Sequence, residues 1–331
     1  MRKLQVMASL PLMALLLLTT PGLGQDKIAQ TGFKWLSIPI GARAASLGSA
    51  FTAVIPDAGS AFHNPAGLAL VEGKHVFLHQ TQWIADIDVN AFAFSFNAGN
   101  LGTFGVHGMA VNWGTFHGTQ FSSGGALYEE TGEFSPDDFA VGVSYARRVS
   151  DKFSFGGNVR FLHEDLGSGM EGSFDEPEKF NAAMNVVALD FGTLFYTGFK
   201  DLRLGMTIQN VSQEKEYRFE SFPLPLTFKF GVAMDVSQIF MNGEKNQSLT
   251  MSFDALHPRD FSERLHVGLE YGFRKMVFLR GGYKTNYDEE DLTFGGGLRL
   301  NVSNFDFGVD YSYLRFDNFD AVHMFSFDFG F

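Results

Sequence analysis

The chain has 331 residues, a formal net charge of −12, no cysteine, 38 Phe and 37 Gly, and is 45% hydrophobic. That length suits one large domain or two modest ones. The missing cysteine excludes a disulfide framework and any thiolate metal site, and the acidity excludes a general attraction for nucleic acid or an anionic leaflet.

In chain order, MRKLQVMASLPLMALLLLTTPGLGQ carries two positive charges, an apolar run from Val6 to Leu18 and small residues before Gln25. This reads as a signal peptide, residues 1–25. The apolar run is shorter than the ~20 residues that a helix needs to cross a bilayer. No cysteine follows it to carry a lipid anchor.

Residues 26–72 read as irregular chain with short helices. GARAASLGSAFTAV has enough Ala and Leu for a helix interrupted at Gly48. In IPDAGSAFHNPAGLA, Asp57 is placed to accept amide hydrogen bonds at one helix start. Asn64 is placed to cap another, with Pro65 at its first position, where a missing N–H costs nothing.

From Gly73 the period becomes two. In AVHMFSFDFGF, Phe325, Phe327, Phe329 and Phe331 share one face, opposite Met324, Ser326, Asp328 and Gly330. FDFGVDYSY, LTFKFGVAMDV and RLHVGLEYGF repeat the pattern. One face is aromatic or branched, which suits strands, and the other is small or singly charged. A soluble sandwich would carry more Lys, Glu and Thr outside than Gly, so the apolar face is expected to meet lipid and the Gly-rich face to line a crowded lumen. A membrane sheet must close, because an open edge leaves backbone groups unpaired in hydrocarbon.

Fourteen strands are expected, at 74–82, 86–97, 101–113, 138–148, 152–163, 181–196, 202–211, 224–237, 247–256, 263–273, 276–284, 291–300, 304–315 and 321–331. RVSDKF and YGFRKM read as tight hairpins, whereas 114–137, 164–180 and 212–223 read as longer external loops. Trp83 and Trp113 then fall near a barrel rim, where Trp prefers the border between headgroup and water. The fold class is thus an all-β transmembrane barrel at 73–331, preceded by a small helical segment at 26–72. A barrel of this size encloses more volume than its own side chains fill, and the segment is placed to fill it.

From about Ile38 to Gly73, GARAASLGSAFTAVIPDAGSAFHNPAGLA resembles the N-terminal signature of the PorV/PorQ family of bacterial outer-membrane proteins, which is similar in architecture to the FadL-type transporters. The resemblance implies a hatch within or against the lumen, with Asn64, Pro65, Ala66 and Gly67 as its turn and Gly41, Ala42, Arg43 and Gly48 in the preceding stretch. It implies outer-membrane localisation after signal cleavage, with membrane lipid around the barrel. Phe331 matches the ending that the barrel assembly machinery recognises. It also implies a non-enzymatic role in protein secretion of type IX, with a translocon and exported cargo as partners. The alternative is a FadL-like channel for hydrophobic small molecules, which calls for an apolar pocket beside the hatch.

Enzymatic and metal readings find little support in the residues. His63 and Asp57 suit a local hydrogen bond or cap better than a catalytic pair, and dispersed His75, His79, His107 and His117 lack zinc-site spacing. GGG at 295–297 lies inside a strand, without the context of a phosphate loop. DEED at 288–291 lacks the spaced ligands of a calcium loop and reads as a solvated turn. No cofactor is expected. The interior charges Asp190, Asp235, Glu270, Asp306 and Asp310, with Arg160, Lys229, Arg264, Arg280 and Arg299, read as a neutralising lumen network.

Overall fold

The computed structural model describes residues 30–54, 57–121, 128–173, 176–217, 220–241 and 246–331; the signal peptide expected at 1–25 lies outside them. Among the described residues the strands are β1 (Lys74–Gln82), β2 (Asp88–Asn97), β3 (Thr103–Asn112), β4 (Phe116–Phe121), β5 (Tyr128–Phe134), β6 (Asp137–Ser150), β7 (Phe153–Ser173), β8 (Glu176–Tyr196) and β9 (Arg203–Val211). They continue as β10 (Lys215–Tyr217), β11 (Glu220–Phe222), β12 (Thr227–Asp235), β13 (Gln247–Pro258), β14 (Arg264–Phe273), β15 (Val277–Lys284), β16 (Glu290–Val302), β17 (Phe305–Phe316) and β18 (Val322–Gly330).

Fourteen of these strands form one closed antiparallel barrel, while β4–β5 and β10–β11 are separate two-stranded ribbons. The seam is β1 against β18, with Val76 opposite Phe329 and Leu78 opposite Phe327. Closure gives every strand two hydrogen-bonded neighbours, as hydrocarbon demands. The two-residue period decides the faces. Leu78, Phe92, Val267, Leu269, Phe325 and Phe327 are exposed on the outside, whereas His79, His266, Glu270, Met324 and Ser326 are buried within. An apolar exterior around a polar interior is the arrangement of an outer-membrane barrel.

One end carries short connections: residues 151–152 join β6 to β7, and 303–304 join β16 to β17. This turn end also holds the chain terminus, where Lys74 and Phe331 exchange backbone hydrogen bonds of 2.9 and 3.0 Å. The opposite, loop end bears the β4–β5 and β10–β11 ribbons. Of residues 164–180, expected as a loop, 164–173 and 176–180 instead extend β7 and β8 as paired strands, with Met170 opposite Lys179. Beyond the bilayer a paired ribbon needs no apolar face, so its Gly- and acid-rich sequence carries no alternation. Trp83 and Trp113 directly follow β1 and β3 at the loop end. The first packs edge-on against Phe316 at 5.5 Å, and the second donates from Nε1 to Asp138 at 2.7 Å.

The chain before β1 runs through the lumen from the loop end to the turn end. A helical turn (Lys34–Ser37), a short α-helix (Ala42–Ser46), another (Ser60–His63) and a 3₁₀ segment (Pro65–Leu70) make up its regular parts. The Ala42–Ser46 helix stops before Gly48 instead of resuming beyond it, because Gly48 takes φ +63. Four apolar clusters among the described residues join the segment to the wall, and two of them hold its largest side chains. Phe33, Trp35 and Ile40 pack with Val89, Met109, Leu162, Val186 and Leu224. Leu47, Phe51 and Val54 pack with Leu194 and Ala233.

The Gly-rich inner face explains how a backbone fits so close to the wall. A Cβ at Gly282 would lie 2.0 Å from the Gly48 nitrogen, one at Gly205 2.3 Å from the Thr52 carbonyl oxygen, and one at Gly156 2.6 Å from the Pro65 carbonyl carbon. The strands therefore present bare backbone where the lumen segment touches them.

Candidate functional site: the lumen segment and the cavity above it

The Asn64–Gly67 turn is fixed by its first residue. Asn64 Oδ1 accepts from Ala66 N at 3.2 Å, while Nδ2 donates to the Thr52 and Thr193 carbonyls at 2.8 and 3.0 Å. Pro65 takes the first position, and the turn feeds 3₁₀ geometry, not α. One side chain thus ties the turn to the Thr52 turn earlier in the lumen segment and to β8. Asn64→Ala is expected to cost about 2 kcal/mol, combining a lost cap with two carbonyls left short of donors. Guanidinium unfolding in detergent micelles reads this, and a loss below about 0.5 kcal/mol would mean that the turn is held by packing alone.

Asp57 does not cap the Ser60–His63 helix, which has Gly59 at its N-cap and no side-chain cap. The Asp57 main-chain carbonyl accepts from Ser60 N at 3.0 Å, while its carboxylate faces Arg43 at 3.6 Å. Burial raises the Asp57 carboxyl above its ordinary value despite that arginine. His63 packs edge-on against Phe51 at 5.1 Å. Burial, with the Lys229 charge adding to it, holds its imidazole down to about 3, so it is neutral at physiological pH. Asp57 and His63 thus have separate partners in the lumen segment.

Arg43 is the hub of the charges towards the turn end. It donates from Nε and Nη2 to Glu270, each at 3.0 Å. Glu270 also accepts from Arg280 Nε at 2.6 Å, Arg280 donates to Asp310 at 2.7 Å, and Arg299 donates to Asp310 at 2.6 Å. Burial alone would lower the Arg43 guanidinium, yet the Glu270 carboxylate bonded to it pushes it above its ordinary value. A second centre pairs Arg160 with Asp190 at 2.7 Å, and Asp190 also accepts from Asn158 and from Asn210 N.

The remaining expected members stand apart from these pairs. Asp235 lies at the end of β12 and accepts from Ser237 N at 2.8 Å in the following turn. Asp306 is exposed near the turn-end rim and bonds to Asn301. Arg264 is stacked between the Phe261 and Tyr287 rings, 4.2 and 3.9 Å from their centroids, and is paired with no carboxylate among the described residues. Lys229 lines the cavity and has no ion pair among the described residues. Of the histidines, His75 pairs with Asp328, His79 bonds Ser326 and Thr81, His107 bonds Ser144, and His117 faces Glu133. Among the described residues no three metal-ligating side chains cluster. Within 288–291, Glu289 accepts from Asn318 and Glu290 pairs with Lys284, so the acidic turn ties loops together. In the 295–297 stretch, a Cβ at Gly295 would lie 2.4 Å from Ser46 Cβ.

A cavity of about 430 Å³ lies between the lumen segment and the loop-end mouth, where the channel alternative calls for a pocket, but its lining residues and their polarity were not foreseen from the sequence. Trp35, Leu36, Ile38, Phe62 and Met109 supply apolar lining, and Lys229, Arg264, His266 and the Arg160–Asp190 pair supply polar lining. Above it, Thr31 Oγ1 and Lys34 Nζ donate to Asp260 at 2.7 and 2.5 Å, fastening the start of the segment to the β13–β14 loop. Burial would raise the Asp260 carboxyl, but the Lys34 and Thr31 hydrogen bonds outweigh it and hold it below its ordinary value.

A depressed carboxylate stabilises above its unfolded value and loses that contribution as pH falls through its folded value. The fastening is therefore expected to persist at pH 5 and to fail only below about pH 4. Lys34 is 42% exposed, so the pair is worth less than about 1 kcal/mol. Amide-exchange protection over residues 31–35 checks this. Asp260→Asn is expected to remove the pH step, and an unchanged step would assign it to another group.

Residues 19–256 match the model of the uncharacterised protein family UPF0164, and the chain belongs to that family. No curated protein matches it in sequence. Among solved structures it is similar to the CymD monoaromatic hydrocarbon channel, with 12% identity, a TM-score of 0.56, and coverage of 89% of this chain and 98% of that one. The Pseudomonas putida toluene transporter TodX gives 10% identity, 92% and 98% coverage and the same TM-score. A Pseudomonas aeruginosa FadL homologue gives 11% identity, 88% and 98% coverage, again at 0.56. At these identities the likeness establishes the fold, a FadL-like outer-membrane barrel. The family model that matches is UPF0164, and the PorV/PorQ family expected from residues 38–73 is not shown by these matches.

Proposed function

We propose that this protein is an outer-membrane channel for small molecules with substantial apolar surface, and that residues 26–72 are its hatch. The cavity of about 430 Å³ beside the lumen segment carries this reading, since a space of that size, lined by an apolar patch and by many polar and charged side chains, suits a small ligand with both kinds of surface. The hydrocarbon channels of the same fold support it. Gly41, Ala42 and Arg43 open the hatch, Gly48 seats it against β15, and Asn64, Pro65, Ala66 and Gly67 make its fixed corner. Removal of residues 1–25, insertion by the barrel assembly machinery through the strand ending at Phe331, and a surrounding annulus of lipid complete the reading. It assigns no reaction and no cofactor. A secretion component would be expected to expose a broad apolar patch on its loops, and the internal cavity favours the channel over that role.

Proteoliposomes holding the mature chain test the reading. They are expected to take up a radiolabelled apolar compound such as naphthalenemethanol faster than empty liposomes, with uptake saturating in concentration. Unsaturable uptake at the empty-liposome rate, together with stoichiometric co-purification of a translocon subunit from native membrane, would replace the channel by the secretion role.

A further inference from the structure

Resting on the channel reading, we infer that the cavity is built for an organic anion: a compact ring system whose carboxylate meets Lys229 and Arg264 while its body lies against Trp35, Phe62 and Met109. The argument begins with charge. In a chain of net charge −12, cations without counter-ions are unexpected in the interior, yet the β12, β14 and β15 wall of this cavity presents Lys229, Arg264 and Lys284 together. Glu290 answers Lys284. Among the described residues no carboxylate lies within ion-pair distance of Lys229 or Arg264.

Each of the two carboxylates whose fields reach Lys229 is bonded to other groups, although Asp254 Oδ1 itself has no hydrogen-bond partner among the described residues. Asp254 Oδ2 accepts from Phe51 N, Thr52 N and Thr52 Oγ1 at 3.0, 3.0 and 2.6 Å, which commits it to the lumen segment. Asp190 is held by Arg160, Asn158 and Asn210. Arg264 is sandwiched by Phe261 and Tyr287, an arrangement that fixes a guanidinium plane and leaves its edge for hydrogen bonding. A cation withdrawn from bulk water without a partner is costly, and an incoming carboxylate offsets that cost at both groups. A neutral hydrocarbon would leave both unmet. On the other side the lining is aromatic and thioether, suited to a ring face.

The experiment uses the full mature chain in lipid nanodiscs and two probes of nearly one shape, 2-naphthoate and neutral 2-naphthalenemethanol, titrated calorimetrically against empty nanodiscs. The naphthoate is expected to bind at least tenfold more tightly and to weaken with added salt. Lys229→Met is expected to abolish that preference while the neutral probe keeps its affinity, which also shows that the variant is folded; Lys229→Arg is expected to restore it. Equal affinities in the unmodified chain, or a preference that survives both Lys229→Met and Arg264→Met, would overturn the assignment and leave the channel reading intact if the neutral probe binds. Failure of both probes to bind would overturn the two together.

Discussion

Gly282→Ala is expected to lift the lumen segment off its wall and leave the barrel closed. The added methyl would stand 2.0 Å from the Gly48 nitrogen and 2.3 Å from the Leu47 carbonyl carbon, both backbone atoms that no rotamer change can move aside. Gly48 is held in place, because its amide donates to Thr293 Oγ1 at 3.0 Å and the Thr293 hydroxyl in turn donates to the Ser46 carbonyl at 3.1 Å. The neighbouring Gly281→Ala is the control. Its methyl would meet only the Thr293 carbonyl oxygen, at 3.9 Å, an ordinary contact. In planar bilayers Gly282→Ala is expected to raise single-channel conductance at least several-fold while Gly281→Ala stays at the starting level. Both should keep the heat-dependent gel mobility of a closed barrel. Equal conductance in the two variants would mean that the segment accommodates the methyl without opening a path.

The second large effect belongs to Glu270. This carboxylate sits between Arg43 of the lumen segment and Arg280 of β15, and both guanidinium groups lean on it. Glu270→Ala leaves two buried cations facing each other, and removing one partner of a buried pair typically costs 3–5 kcal/mol, so a loss of about that size is expected. Arg43→Ala is expected to cost distinctly less, because Glu270 then still holds Arg280. Guanidinium unfolding in micelles gives the order directly. If Arg43→Ala proves the more damaging, the segment depends on that arginine through Asp57 and the Phe51 ring, 5.3 Å from its guanidinium carbon, more than through the wall.

The barrel was legible in the sequence because lipid imposes a simple rule on each strand. Phe325, Phe327 and Phe329 alternate with Met324, Ser326 and Asp328 since only one face meets hydrocarbon, and fourteen such runs mark the wall. Where lipid ends, so does the rule: β7 and β8 continue as a ribbon through residues without that alternation. Alternation also gives the face of a charge but not its depth. Asp306 and Asp310 share a face, yet one lies at the rim and the other accepts two arginines. Cross-strand register, which no single strand reveals, sets Glu270 directly opposite Arg280. Arg43 was legible as part of the Gly41–Gly48 stretch, but its partner lies 227 residues away. The lining of the cavity, with Lys229 and Arg264 lacking a carboxylate partner among the described residues, emerges only when the lumen segment is placed inside the wall.

The lumen segment enters at one mouth, where Thr31 and Lys34 meet Asp260, and leaves at the other, where Lys74 meets Phe331. It therefore lies along the barrel like an axle within a hoop. Its seats belong to strands made later in the chain, among them Gly156, Gly205 and Gly282. Had the hoop closed first, residues 30–72 would have to be drawn lengthwise past every inward side chain to reach those seats. Wrapping the strands around the axle and joining β1 to β18 last reaches the same topology with no threading, which makes that seam the natural final joint of assembly.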